Sequence, residues 1–222
     1  MNSIAINTYI FFGAIIVNSI ALIAAAKLSK YALAAFIVVQ TIMVNLLITK
    51  QIVLFGLSTT PTDALAISIT LSYNLMQELY GKQAARQALS AALACVIFYL
   101  VTIYLHLLYI PAPADTMQVH FAAIFSSQAR IIAASLFTYY VVQYGDIILY
   151  GFFKKLFANR FFIARNYLSV MISHLIDTVL FTFLGLYGLV HCVWHIILIS
   201  YSIKLCTMLI QTPFISFAVK KL

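Results

Sequence analysis

Long apolar runs, broken by short polar stretches, follow one another from end to end of the chain. They cover Asn7–Ala26, Tyr31–Thr49, Pro61–Leu79, Ala88–Ile110, Ile131–Phe153, Tyr167–Leu189 and Cys192–Val219. A helix of about 20 residues crosses ~30 Å of hydrocarbon, and every run is close to that length or longer. The pattern predicts an all-α fold, a polytopic transmembrane bundle of about seven spans. Local signals mark the breaks. Thr60 and Pro61 ahead of Asp63 read as a helix start, with Thr60 as the cap. The stretch from Pro111 through Pro113 to Asp115 reads as a turn. Residues His120–Ser127 read as an interfacial segment leading into the fifth span, and Pro213 is placed to kink the last one.

Composition removes the alternatives. Apolar residues make up 64% of the chain and charged ones 8%, against roughly 45–50% and 25% in soluble domains. A water-soluble enzyme could not clothe its surface with so few charges, and a disordered chain would be far more polar. The net charge of +8 would suggest nucleic acid in a soluble protein, but its distribution gives another cause. Lys27 and Lys30, Lys82 and Arg86, Lys154, Lys155, Arg160 and Arg165, and Lys220 and Lys221 fall in alternate loops. Basic loops stay in the cytoplasm, which predicts an outer N-terminus and a cytoplasmic C-terminus in an inner (cytoplasmic) membrane. No direct nucleic-acid partner is expected. The apolar start has no positive residues ahead of it and reads as a retained helix.

Cofactor signals are missing. Cys95, Cys192 and Cys206 stand singly in apolar runs, and a lone Cys behaves as a small hydrophobe. His191 and His195 flank Trp194, where an aromatic belt is expected, and no Glu follows the first His as a zinc-protease pattern requires. No Gly-rich phosphate loop and no nucleophile motif occurs. The expectation is no cofactor, no metal and no enzymatic activity.

Ionisable residues inside the spans carry the functional signal. A charge at the bilayer centre costs at least ~2.5–3.5 kcal/mol, so it faces protein or a wet cavity. Glu78, Asp146, Asp177, Lys50, Arg130 and Lys204 are in or near spans, while Asp63 and Asp115 are read as near the outer surface. Helical rise puts Asp177 roughly 18 Å beyond Arg165, near the midplane, and Lys204 at a similar depth. Those two can pair, as a structural ion pair or as part of a solute site. Glu78 lies near the cytoplasmic interface, where it can snorkel or pair with Lys82 or Arg86. Helical spacing gathers polar groups about these charges: Thr41, Asn45 and Thr49; Thr70, Asn74, Gln77 and Glu78; Ser135, Tyr139, Gln143, Asp146 and Tyr150; and Asn166, Ser173, His174, Asp177 and Phe181. Amides, acids and rings on four helices suit a planar polar solute. The expectation is that Glu78, Asp146 and Asp177 converge on one water-accessible pocket.

The run from Asn74 through Gln77-Glu78-Leu-Tyr80-Gly81-Lys82 to Ala84 and Arg86 resembles the signature of the queuosine precursor transporter family, relatives of vitamin-uptake transporters. Asn45 with Lys50 and Gly56, Arg130 with Ser135, Gln143 with Asp146, Ser173 with Asp177 and Phe181, and Lys204 follow in the family's order. Asn74 stands where many members have Asp, and His174 where Gln is common. The resemblance implies a six-helix core at residues 31–222, with an extra transmembrane helix at residues 1–30. It implies import of 7-deazaguanines for tRNA queuosine: queuine, or the cyano- and aminomethyl-deazaguanine bases. Asn45, Asn74, Gln77 and Gln143 would pair with the base edge, and Tyr80, Tyr139 and Phe181 would stack on it. Glu78, Asp146 or Asp177 would neutralise an aminomethyl cation. Lys50 belongs to the same set, and Asp177 with Lys204 would form a midplane switch. Besides the deazapurine base and the lipid bilayer no partner is implied, and no external ATPase is expected. A related vitamin carrier or an ATPase-dependent solute-binding subunit is the alternative.

Overall fold

Single residues are enough to end one helix and start the next at two of the breaks. Ser29, in extended conformation, accepts a hydrogen bond from the Ala32 N–H through its hydroxyl and caps the second helix. Gly81, at φ 84° and ψ 168°, occupies a region that is essentially closed to residues with a Cβ. The computed structural model describes residues 3–48, 50–125, 129–158, 160–188 and 193–219. Along them run α1 (Ser3–Leu28), α2 (Lys30–Leu47), β1 (Ile52–Leu54), β2 (Leu57–Thr59), α3 (Asp63–Tyr80), α4 (Lys82–Leu107), α5 (Gln118–Phe125), α6 (Ala129–Leu156), α7 (Phe162–Phe181) and α8 (Val193–Val219). α7 continues as a π-helical turn, Thr182–Leu186. Thr49, Ser126, Ser127, His191, Cys192, Lys220 and Lys221 lie outside the described residues.

The protein is an all-α helical bundle and a multi-pass membrane protein. Among the described residues five helices (α1, α2, α4, α8, and α7 with its π turn) are long and apolar enough to cross a membrane. α3 matches them in length but carries more polar side chains, and the expected count of seven spans is met by five on this criterion. Burial explains the polarity of α3. From Asp63 to Gln77 nearly every residue is buried, because α3 touches α1, α2, α4, α6, α7 and α8. A helix wrapped in protein needs no apolar coat against lipid. Its apolar side chains Ile67, Leu71, Leu75 and Met76 pack with Leu33 and Ile37 of α2 and with Ala84, Ala85, Ala88 and Ala92 of α4. Lipid tails are as apolar as any core, so helices in a bilayer associate by close packing, and the alanine face of α4 permits it. Large apolar side chains on the periphery, among them Val17, Ile20, Phe98 and Leu198, are exposed.

One element departs from the purely helical expectation. Between the second and third apolar runs, Leu57–Thr59 pairs with Ile52–Leu54 in an antiparallel hairpin, with Ile52 opposite Thr59 and Leu54 opposite Leu57. Phe55 and Gly56 form its two-residue turn with φ of 52° and 81°. Positive φ at both central residues matches the right-handed twist of the strands. Leu54 is buried with Phe11 and Ile15 of α1, Ala64 of α3 and Ile203 of α8. The Asn7 amide donates to the Val53 carbonyl at 3.0 Å, so the first helix and the hairpin are joined. The expected Thr60 cap does not form. Thr62 holds the N-cap position without a side-chain cap bond, and the Thr60 carbonyl accepts from the Asp63 N–H at 3.4 Å. The segment expected from His120 to Ser127 is helical as α5 up to Phe125, with no buried residue.

Candidate functional site

At the hairpin end, between the C-terminal half of α2, the N-terminal halves of α3, α6 and α8, and the C-terminal half of α7, lies a partly open cavity of about 770 Å³. That is room for a small organic solute. Gln51, Gly56, Leu57, Thr59 and Thr60 bring the hairpin region to its mouth. Tyr139 and Phe181 supply aromatic wall. The π turn after Phe181 adds Thr182 and Leu186 to the lining, a placement typical of such bulges, which gather at functional sites.

A charged trio sits in this cavity. The Lys204 ammonium is 2.8 Å from Asp177 Oδ2 and donates to Thr178 Oγ1 at 3.0 Å. Asp63 Oδ1 stands 3.8 Å from the same nitrogen. Asp63 also accepts from the Ser200 hydroxyl, 3.2 Å from each carboxylate oxygen, and from Thr59 Oγ1 at 3.4 Å. His174 Nδ1 lies 3.9 Å from Asp177 Oδ2. The expected pairing of Asp177 with Lys204 is present. Asp63, expected near the outer surface, is instead 7% exposed and part of the site. It opens α3, and Lys204 of α8 reaches it because the two helices pack together.

Neutral hydrogen bonds close the cavity floor. The Gln143 amide donates to Thr70 Oγ1 at 2.9 Å, and Thr70 Oγ1 is 2.9 Å from His174 Nε2. The Tyr139 hydroxyl lies 2.6 Å from that of Tyr73 and 3.3 Å from Thr41 Oγ1. Asn45 donates to the Thr41 carbonyl and accepts from Ser135 Oγ at 3.5 Å. Gln143 Oε1 and Thr138 Oγ1 are buried without a hydrogen-bond partner, and both residues line the cavity. Buried polar atoms left unpaired cost ~1–3 kcal/mol each. They are free to bind a guest.

Below the floor, α3, α6 and α7 enclose a second polar layer. Neither amide atom of Asn74 has a partner, and Gln77 Oε1, Asp146 Oδ2 and Asn166 Oδ1 are likewise unpaired. Asp146 Oδ1 accepts from Ser169 at 2.5 Å and Ser173 at 2.8 Å. Gly151 lets α6 approach α3 here; a Cβ on it would stand 2.9 Å from Gln77 Nε2. The layer ends in an ion-pair latch. Arg165, 1% exposed, forks onto both carboxylate oxygens of Glu78 at 3.2 and 3.3 Å. Glu78 Oε2 also meets Lys154 Nζ at 3.0 Å and accepts from the Tyr150 hydroxyl at 2.8 Å. The guanidinium lies over the rings of Tyr150 and Phe162. The expected partners of Glu78, Lys82 and Arg86, are not the ones it finds; Arg86 lies over Tyr144 instead.

Of the expected site residues, Asn45, Tyr139, Gln143, Asp177, Phe181 and Lys204 line the cavity. Asn74, Gln77 and Asp146 belong to the lower layer and Glu78 to the latch, while Lys50 is exposed beside the hairpin. The expectation that Glu78, Asp146 and Asp177 share one void is therefore corrected: only Asp177 faces it. Depth is the reason. Fifteen residues of α3 separate Asp63 from Glu78, roughly 22 Å of helix. Asp63 and Ser200 escaped the sequence reading as site residues, whereas Thr70 belongs to the polar face expected on the third span. The signal for Asp63 was its place one turn above Ile67 on the same helix as Thr70 and Asn74. Among the described residues no group of three His, Cys, Asp or Glu side chains is arranged to hold a metal ion.

Comparison with known proteins gives two matches. Residues 64–218 match the profile of a family described as "Putative vitamin uptake transporter". The chain is 31% identical over 221 residues to a Bacillus subtilis (strain 168) protein named "Probable queuosine precursor transporter", an alignment covering 97% of this chain and 95% of that one. No solved structure matches the chain.

Proposed function

The chain belongs to the vitamin uptake transporter family, and on that footing we propose that it imports 7-deazaguanine bases for tRNA queuosine across a bacterial inner membrane. The observation that carries this reading is the cavity between α2, α3, α6, α7 and α8, where amides, two aromatic rings and a charged trio face one void. Gln143 and Asn45 offer donor and acceptor atoms to a base edge, and Tyr139 and Phe181 offer faces to its ring. The name of the B. subtilis relative supports the choice of substrate.

Lys27, Lys30, Lys82, Arg86, Lys154, Lys155, Arg160 and Arg165 cluster by sequence at the end opposite the hairpin, which supports placing that end in the cytoplasm. The hairpin end then faces outward, the base enters the cavity from there, and the Glu78 latch holds the inner end shut. Asn74, Gln77, Asp146 and Asn166 supply unpaired polar atoms along the inner half of the route. Transport does not need an external ATPase, and residues 31–222 act as the six-helix core to which residues 1–30 add a helix.

Complementation tests the reading. A strain that cannot make queuosine and lacks its own carrier is given this chain and low concentrations of queuine, the cyano base or the aminomethyl base. Queuosine in tRNA is the readout, and its appearance with any base is the expected result. Rescue by none favours the family's other activity, uptake of a vitamin. Purified protein in liposomes decides the energy question, because uptake without added proteins excludes an ATPase-dependent subunit.

A further inference from the structure

The cavity's charges do not balance. Its lining carries two carboxylates, Asp63 and Asp177, and one ammonium, Lys204. His174 and His195 also line it. His174 is committed through Nε2 to Thr70 at 2.9 Å, and in its neutral form it adds no charge. Asp177 holds the short contact to Lys204, 2.8 Å against 3.8 Å for Asp63. Asp63 keeps hydroxyl donors, Ser200 and Thr59, and stands in the first turn of α3, where the helix dipole favours the ionised carboxylate. Hydroxyls and a helix end stabilise a carboxylate without cancelling its charge. Nearby, Gln143 Oε1 and Thr138 Oγ1 are 5% and 1% exposed at the residue level and have no partner. Both are able to accept.

We infer that this cavity selects a monocationic ligand, an organic base bearing a protonated amine, and that Asp63 is the residue that sets the preference. Burial of the excess negative charge is what makes the selection. In a site of reduced dielectric an uncompensated carboxylate is costly, and a guest ammonium removes that cost while a neutral guest of the same shape does not. Lys204 cannot perform this role, because its single charge is already shared between Asp177 at 2.8 Å and Asp63 at 3.8 Å. The aminomethyl amine of a 7-deazaguanine fits the requirement, with Gln143 left to read the base edge. This inference rests on the deazaguanine reading for its natural ligand but not for its charge rule.

Binding to the purified full chain in detergent tests it with two probes of matched shape, the aminomethyl-deazaguanine, cationic at neutral pH, and the neutral cyano-deazaguanine. The native protein is expected to bind the cation at least about tenfold more tightly, the low end of what an opposite charge at contact supplies. Asp63→Asn keeps a side chain able to accept from Ser200 and Thr59. It is expected to remove that preference by weakening the cationic base about tenfold relative to the neutral one. Equal affinity of the native protein for both bases, or equal weakening of both by Asp63→Asn, overturns the inference. Thermal stabilisation by benzylamine against benzyl alcohol separates the charge rule from the substrate. If neither deazaguanine binds yet benzylamine alone stabilises the native protein and not Asp63→Asn, the charge rule stands and the deazaguanine reading falls. If benzylamine and both bases leave the native protein unchanged, the charge rule falls too.

Discussion

Replacing Glu78 by Gln keeps the shape of the side chain and removes the one carboxylate that Arg165 meets among the described residues. Arg165 is 1% exposed, so its charge is stranded. Stranding one member of a buried pair costs about 3–5 kcal/mol. Glu78 is the more accessible partner, with 18% of its side chain exposed, and the low end, about 3 kcal/mol, is the appropriate figure. The reverse change, Arg165→Gln, costs less. Glu78 keeps Lys154 at 3.0 Å and Tyr150 at 2.8 Å, and we expect about 2 kcal/mol. In the double variant no charge is stranded, so the loss should be about 3 kcal/mol rather than the 5 of simple addition, a coupling of about 2 kcal/mol. Equilibrium unfolding in mixed detergent micelles measures all four proteins. Additivity within about 0.5 kcal/mol would refute the claim that Glu78 and Arg165 act as one latch.

Three further outcomes follow from the same geometry. Asn74→Leu removes two buried, unpaired amide atoms and should raise unfolding stability by about 1 kcal/mol while lowering uptake; unchanged uptake would take Asn74 off the solute route. Lys204→Met leaves Asp63 and Asp177 facing each other's charge and should lower the unfolding midpoint, which the added change Asp177→Asn should partly restore in a thermal melt. Phe181→Ala removes a ring from the cavity wall and should weaken base binding by about tenfold, since stacking on an aromatic side chain contributes ~1–3 kcal/mol; titration calorimetry checks it.

The bundle was legible because its signal is summed over whole helices. Twenty apolar residues outvote any one position, and only the hairpin, three residues per strand, was too short to register against the helical runs around it. Its turn begins with Phe55, a residue that gives no left-handed signal, although Gly56 does. Pairwise facts were harder. Asp177 and Lys204 were matched correctly by depth, since rise per residue places both near the midplane. Glu78 was matched to Lys82 and Arg86 because they are close in sequence, whereas its partners come from α6 and α7, brought in by packing. Asp63 failed for the opposite reason. Depth put it at the outer end, and depth alone cannot tell that α8 and the hairpin cover that end of α3.

On the proposed route, the floor and the latch are closures of unequal strength. Thr70 joins Gln143 and His174 through one hydroxyl, and neutral hydrogen bonds contribute only about 1 kcal/mol each. The latch joins full charges. On the proposed route, a solute in the cavity should open the floor before the latch, and reach Asn74 and Asp146 while the basic end is still closed. Thr70→Val keeps the side-chain volume and severs the floor bonds to Gln143 and His174. A floor weakened by about 1.4 kcal/mol should be open tenfold more often. The measure is Asn74→Cys in a background without Cys95, Cys192 and Cys206, labelled from the hairpin side by a membrane-impermeant thiol reagent. Labelling should quicken about tenfold when Thr70→Val is added, and should stay slow from the opposite side while Glu78 and Arg165 are intact. Equal rates with and without Thr70→Val would mean that the two layers are not separated by this floor.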